Sequence, residues 1–228
     1  MPDLTRLWQR LIRRRGVGHE SDAGFTLVET LVAMIVFSIA IAMVYRALIG
    51  VQTFARDVQG SANANDQVRL AVAQIDRQVR SGNVLYSPAN EPASLASCTA
   101  SGTDAGSCMR VYTQANGMQR CVQWQVLADS AHPGTSLLRS RSWSPTWQTD
   151  HNYTGWAVQA RGLVPTPSVP PFTLKGAVTS YSSRFLVVHF EGIDPRRPGK
   201  PVLIESSLAG RNTNYGYDGG LCSPAPPA

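Results

Sequence analysis

Residues Phe25 to Tyr45 form an almost unbroken apolar run in which Glu29 is the only formal charge. As a helix rising about 1.5 Å per residue, the run spans roughly 31 Å, enough for a bilayer core of about 30 Å. Arg6, Arg10, Arg13, Arg14 and Arg15 precede it. Basic flanks stay cytoplasmic, so the pattern predicts an amino terminus inside and a long exported remainder. Leu4, Leu7, Trp8, Leu11 and Ile12 have helical spacing with the arginines on the other face. That suits a short basic helix on the anionic inner leaflet, or a charged leader that is later removed. Charged residues make up 16% of the 228-residue chain, below the roughly 25% of ordinary soluble domains. The deficit argues against a highly solvated cytosolic enzyme and against a disordered polyelectrolyte.

The run does not end like a secretory signal. Ala42-Met43-Val44-Tyr45-Arg46-Ala47 is a poor small-residue cleavage site, and helical patterning continues through it. Glu20 and Asp22 lie between the arginine cluster and the run, which disfavours a twin-arginine export signal. The informative junction comes before the run, at Ala23-Gly24-Phe25-Thr26-Leu27-Val28-Glu29. This stretch resembles the prepilin cleavage and methylation motif of type IV pilins and pseudopilins. The resemblance implies that a membrane prepilin peptidase cuts between Gly24 and Phe25 and methylates the new Phe25 amino group. Gly24, lacking a Cβ, suits an extended backbone in a narrow active site.

Glu29 is costly where it stands. A carboxylate inside a membrane span costs about 2.5–3.5 kcal/mol on insertion scales. The resemblance supplies a partner: Glu29 neutralises the Phe25 α-amino group, in its own chain or in the next filament subunit. An acid in the first helical turn is also favoured by the helix dipole, which explains tolerance but not burial in lipid.

Beyond the membrane run, Leu48, Val51, Ala55, Val58, Ala62, Asn65, Val72, Ile75 and Val79 keep a three/four spacing, with polar residues on the other faces. The pattern predicts one helix of about 55 residues through Arg80. Ser81-Gly82-Asn83 would stop it, with Gly82 as a left-handed cap. Gly50 and Gly60, inside it, read either as weak points or as small residues at a packing contact. After Asn83 the periodicity shortens. Met118, Val122, Trp124 and Val126 share one face of a strand and Gln119, Cys121, Gln123 and Gln125 the other. Ala115-Asn116-Gly117 signals a hairpin after Met109–Thr113. Leu186, Val188 and Phe190, then Val202, Ile204 and Leu208, mark two later strands. An antiparallel sheet with one apolar face needs a cover, and the amphipathic half of the helix is the candidate. The expected fold is therefore α+β, a long amino-terminal helix packed on an antiparallel sheet, and the pilin resemblance implies the same roll. The domain reading is 1–24 leader, 25–45 membrane helix, 46–82 amphipathic continuation and 83–228 globular part. Ser87–Ser107 and Trp143–Trp156 read as loops, Pro165–Pro171 as extended, and the tail from Ser223 as frayed.

Cys98, Cys108, Cys121 and Cys222 all follow the membrane run, where export would let disulfides persist. A hairpin turning at Asn116-Gly117 sets Cys121 opposite residue 111 or 112, too far from Cys108 for a bridge. This disfavours one of the three connectivities, and of the two that remain Cys98–Cys108 with Cys121–Cys222 is the one expected, the second pair fastening the tail to the sheet. Zinc lacks the CxxC or histidine pair it would need.

His132, His151 and His189 are scattered, no nucleophile elbow or phosphate loop occurs, and Asp104, Asp129 and Asp150 read as turn residues. No enzyme, cofactor or metal is expected. Arg139, Arg141 and Trp143 would project from one strand face, with Arg184, Arg196, Arg197 and Lys200 further on, a pattern that could grip nucleic acid. Against this, removing the five arginines and three acids of residues 1–24 from the 21 basic and 15 acidic residues leaves only +4. The resemblance thus points to a minor pilin or pseudopilin, most like the PilW-type minor pilins or J-type pseudopilins, with a terminal hairpin over Phe185–Asn212. Its implied partners are prepilin peptidase, other pilin subunits, the inner-membrane assembly platform and, before assembly, membrane lipid. Its implied place is the inner membrane, single-pass, then an extracytoplasmic filament of type IV pilus or type II secretion kind. The alternatives are a DNA-uptake pilus subunit and a signal-anchored extracytoplasmic binding module.

Overall fold

The computed structural model describes residues 24–99, 105–166, 168–175, 185–194, 201–211, 216–218 and 220–227. The chain divides into two units, Met1–Thr53 and Phe54–Ala228. Helix α1, Leu27–Ser81, contributes to both. In the first unit its apolar side chains, Leu27 to Val51, are all exposed. In the second unit α1 buries Ala64, Val68, Ala71, Ile75 and Val79. The buried stripe thus begins at Ala64, and Ala55, Val58 and Ala62, expected to belong to it, stay exposed.

Eight described strands follow, all in antiparallel pairs: β1 (Gly82–Leu85), β2 (Cys108–Thr113), β3 (Arg120–Ala128), β4 (Ser136–Trp143), β5 (Ala157–Val164), β6 (Phe172–Lys175), β7 (Phe185–Gly192) and β8 (Val202–Ala209). Their order is β1-β2-β3-β4-β5-β7-β6, with β8 beside β7. The architecture is the expected α+β arrangement of a long helix on an antiparallel sheet. Val122, Trp124 and Val126 of β3, with Leu186, Val188 and Phe190 of β7, join the helix stripe in one core. Each fully buried Val or Ile contributes about 1.5–3 kcal/mol. Trp124 Nε1 also donates to Gln78 Oε1 at 2.6 Å, tying sheet to helix.

Gly82 does not act as a left-handed cap. It opens β1, and a Cβ there would come within 2.8 Å of Val111 Cγ1, so it permits close approach of the helix end to β2. Thr113 Oγ1 donates to Ser81 O at 3.0 Å and satisfies that helix carbonyl. A Cβ on Gly60 would collide with the Asp194 carboxylate, whereas Gly50 has open space around it. Gly60 is therefore the packing contact. The β2–β3 hairpin turns through Ala115–Gly117, with Gly117 at φ +78°, and pairs Cys121 with Tyr112.

The second face of the sheet is a second buried layer. Cys121, Gln123 and Gln125, expected to face out, are fully buried. Two short helices, α2 (Glu91–Ser94) and α3 (Ala96–Thr99), lie in the segment read as a loop. The disulfide Cys98–Cys108 fastens α3 to β2, and Cys121–Cys222 fastens the tail to β3. Instead of fraying, the tail docks. Arg110 Nη1 donates to Cys222 O, Trp147 Nε1 to Pro224 O, and Arg141 Nη1 to Pro226 O and Pro227 O. Proline has no N–H, so this tail is rich in acceptors, and the sheet face supplies the matching donors. Trp147 belongs to α4, Trp147–Asp150, in the other segment read as a loop.

Asp129, expected as an ordinary turn residue, is buried at the β3–β4 connection. Burial opposes its charge, but Arg161 Nη1 at 2.6 Å, His132 Nδ1 at 3.0 Å and the Ala131 N–H hold its pKa down at about 2. A carboxylate depressed in the folded state stabilises the fold above its unfolded pKa of about 3.9, and that contribution vanishes as pH falls through the folded value. Asp129→Asn is expected to lower the melting temperature at pH 7, with the gap to the parent chain closing from pH 4 towards 2. A gap that stays constant over that range would refute this account.

Candidate assembly segment at the start of the helix

Gly24 and Phe25 precede α1 in exposed chain outside any helix or strand, and a Cβ on Gly24 would meet nothing within 4 Å. An unencumbered backbone at this bond is what a peptidase requires. Thr26 is the helix N-cap. Its Oγ1 accepts the Glu29 N–H at 3.3 Å, and its carbonyl accepts the N–H groups of Glu29 and Thr30. Glu29 consequently stands at the third helical position, giving the Thr-x-x-Glu spacing of a capping box. The sequence carried that signal in Thr26-Leu27-Val28-Glu29, and reading Glu29 by the dipole alone missed it.

Glu29 is exposed, and among the described residues no cation lies within ion-pair distance of it. Its helix is long and apolar enough to cross a membrane, and its apolar stretch is exposed. An exposed apolar stretch of this length is a surface suited to lipid or to other helices. No curated protein and no solved structure matches the chain. Residues 21–45 match the family model described as the prokaryotic N-terminal methylation motif. The chain carries a prepilin-type signal. The match supports a type IV pilin or pseudopilin that prepilin peptidase processes and that assembles with other pilin subunits, a structural rather than enzymatic family. The apolar helix near the amino terminus agrees with a membrane-anchored pilin.

The other residues singled out from sequence sit elsewhere. Arg139 and Arg141 do share a face with Trp143, but they do not form an open basic surface. Arg141 is 3% exposed; its Nε donates to Gln123 Oε1 at 2.8 Å, and its guanidinium stacks on Trp156 at 4.5 Å. Burial, then the neighbouring Arg139, lower its pKa to about 10. Arg139 is half-buried, bonded to Gln125 Oε1 and stacked on the same ring at 4.1 Å. Two arginines flanked by buried glutamines on β3 pack into the second layer rather than project to solvent. Arg184, Arg196, Arg197 and Lys200 lie outside the described residues, as do residues 1–23, Asp104 and Asn212. His189 is largely covered between Glu205 and Glu191. Arg110 and Glu91, neither of them expected from sequence to matter, form a buried ion pair at 3.1 Å. Burial pushes the Glu91 carboxyl up against the pull of Arg110. Among the described residues no three His, Cys, Asp or Glu side chains group to hold a metal.

Proposed function

We propose that this chain is a minor pilin or pseudopilin whose apolar helix enters the filament core and whose Glu29 sets subunit register. Cleavage falls between Gly24 and Phe25, and Phe25 becomes the methylated amino terminus. Before assembly, residues 25–45 span the inner membrane with the leader inside, 46–82 continue as the amphipathic helix, and 83–228 form the exported part. Export accords with the two disulfides, which persist in oxidising compartments. The observation that carries the reading is Glu29 itself: a lone carboxylate at the third position of a helix whose first stretch, as far as Tyr45, is otherwise uncharged, apolar and exposed. Such a charge is costly in lipid unless it meets a cation. A terminal amine on Phe25, four residues earlier, or on the next subunit supplies one. The large loops, the two disulfides and the terminal β7–β8 hairpin favour a PilW-type or J-type subunit at the tip or in priming.

Mass spectrometry of the amino terminus in cells that express prepilin peptidase tests this. N-methyl-Phe25 as the first residue is expected. Recovery with the leader intact would overturn the reading in favour of a signal-anchored binding module. A DNA-contacting subunit is less well supported, because Arg139 and Arg141 are already occupied within the fold.

A further inference from the structure

Among the described residues, strand β8 leaves the sheet with an open edge. All eight of its residues pair with β7 on one side. Among the described residues, no backbone group of 202–209 bonds to anything beyond that pairing. At the β6 margin the Phe172 N–H donates to Gly106 O. An uncovered edge presents rows of N–H and C=O groups that template an added strand, and proteins usually guard such edges with proline, lysine or a bulge. Strand β8 has none of these. Its sequence holds no proline or lysine, its register with β7 is unbroken, and its one charge is Glu205.

Beyond the edge, a groove of about 360 Å³ separates Ile204–Leu208 from Arg69, Val72, Asp76 and Arg80 of α1. Its charges are unequal. Asp76 is held by Arg80 at 2.8 Å, and Glu205 is hydrogen-bonded to His189 Nδ1 at 3.2 Å. Arg69 has no ion partner among the described residues and is exposed. It also has a definite position along the strand. The adjacent Val68 lies 3.5 Å from where a Cβ on Gly192 would be, and Gly192 pairs with Val202. Arg69 therefore stands towards the Val202 end.

We propose that this groove receives an extended segment of a partner protein as an added strand, apolar at alternate positions and bearing a carboxylate near the Val202 end. Main-chain bonds to β8 supply affinity, Val72, Ile204 and Leu208 take the apolar side chains, and Arg69 sets the register. A second copy of β8 fits less well, because its single carboxylate sits mid-strand. The inference does not depend on cleavage or filament assembly, so the uncut chain serves for its test.

Full-length chain in detergent micelles is titrated with fluorescein-labelled eight-residue peptides of alternating valine and threonine. One carries a terminal glutamate, one a lysine there, and one two internal prolines. The glutamate peptide should bind about tenfold more tightly than the lysine peptide, since the swap turns attraction into repulsion at Arg69. It should also slow amide exchange at 202–209. Arg69→Ala should erase the difference between the two peptides without moving the thermal transition. Absence of protection at 202–209, or equal binding of the proline peptide, would overturn the proposal. So would concentration-dependent protection of β8 without peptide, which would assign the edge to a second copy.

Discussion

Glu29→Leu is expected to insert into the membrane and to be cut like the parent chain, yet to be missing from filaments. Insertion should if anything improve, because leucine replaces a carboxylate that costs about 2.5–3.5 kcal/mol in the bilayer. The proposed cleavage site, the exposed Gly24–Phe25 bond, is not touched by the substitution. Assembly changes sign. With Glu29 gone, a cationic amine on Phe25 enters an apolar helix bundle unpaired, and an uncompensated charge of that cost corresponds to roughly 10²-fold less incorporation. The competing role is local: Glu29 stands at the capping-box position three residues after Thr26, and an acid there favours the helix start by about 0.3–1 kcal/mol. Such a loss cannot remove a subunit from a filament. Immunoblots of sheared filaments and of membranes separate the two roles, and Glu29→Asp, which keeps the charge, should recover part of the incorporation. Normal incorporation of the leucine variant would leave capping as the only function of Glu29.

The second large effect concerns the tail. Changing both Cys121 and Cys222 to Ser is expected to cost about 4–5 kcal/mol, because the bridge closes a loop across a separation of 101 residues. The same change at Cys98 and Cys108, separated by 10, should cost about 3 kcal/mol or less on the same chain-entropy argument. Loss of the longer bridge also releases the carbonyls of Pro226 and Pro227 that Arg141 binds, leaving a buried guanidinium short of acceptors. Urea unfolding followed by tryptophan fluorescence measures both pairs, since Trp143 and Trp147 pack beside the tail. Equal costs for the two bridges would overturn the loop-length argument, and a difference larger than loop length predicts would measure the tail's docking.

How much of this molecule could be read from its residues varied by region. Local rules sufficed where neighbours along the chain decide the outcome. The apolar run, the helix, the hairpin at Gly117 with Cys121 opposite Tyr112, and the Gly24-Phe25…Glu29 signal all depend on short-range spacing. The second layer was not legible. Gln123, Gln125, Arg139 and Arg141 read as a solvent face because polar side chains alternate with apolar ones, and alternation records which face is greasier, not which is covered. What covers them arrives from residues 91–99 and 222–227, distant in sequence, and the proline-rich tail gave no periodic signal of docking.

The helix shows the same division. Three/four spacing ran through Leu48, Val51, Ala55 and Val58 as readily as through Val68 and Ile75, yet only residues from Ala64 onward meet the sheet. Composition and order along the chain therefore determined a membrane-length helix, its processing signal and a β-rich remainder. Tertiary structure alone decided that β2–β4 are buried on both faces and that, among the described residues, β8 pairs on one side only. Burial is settled by which distant segments can reach a surface, and one strand's own residues cannot record that.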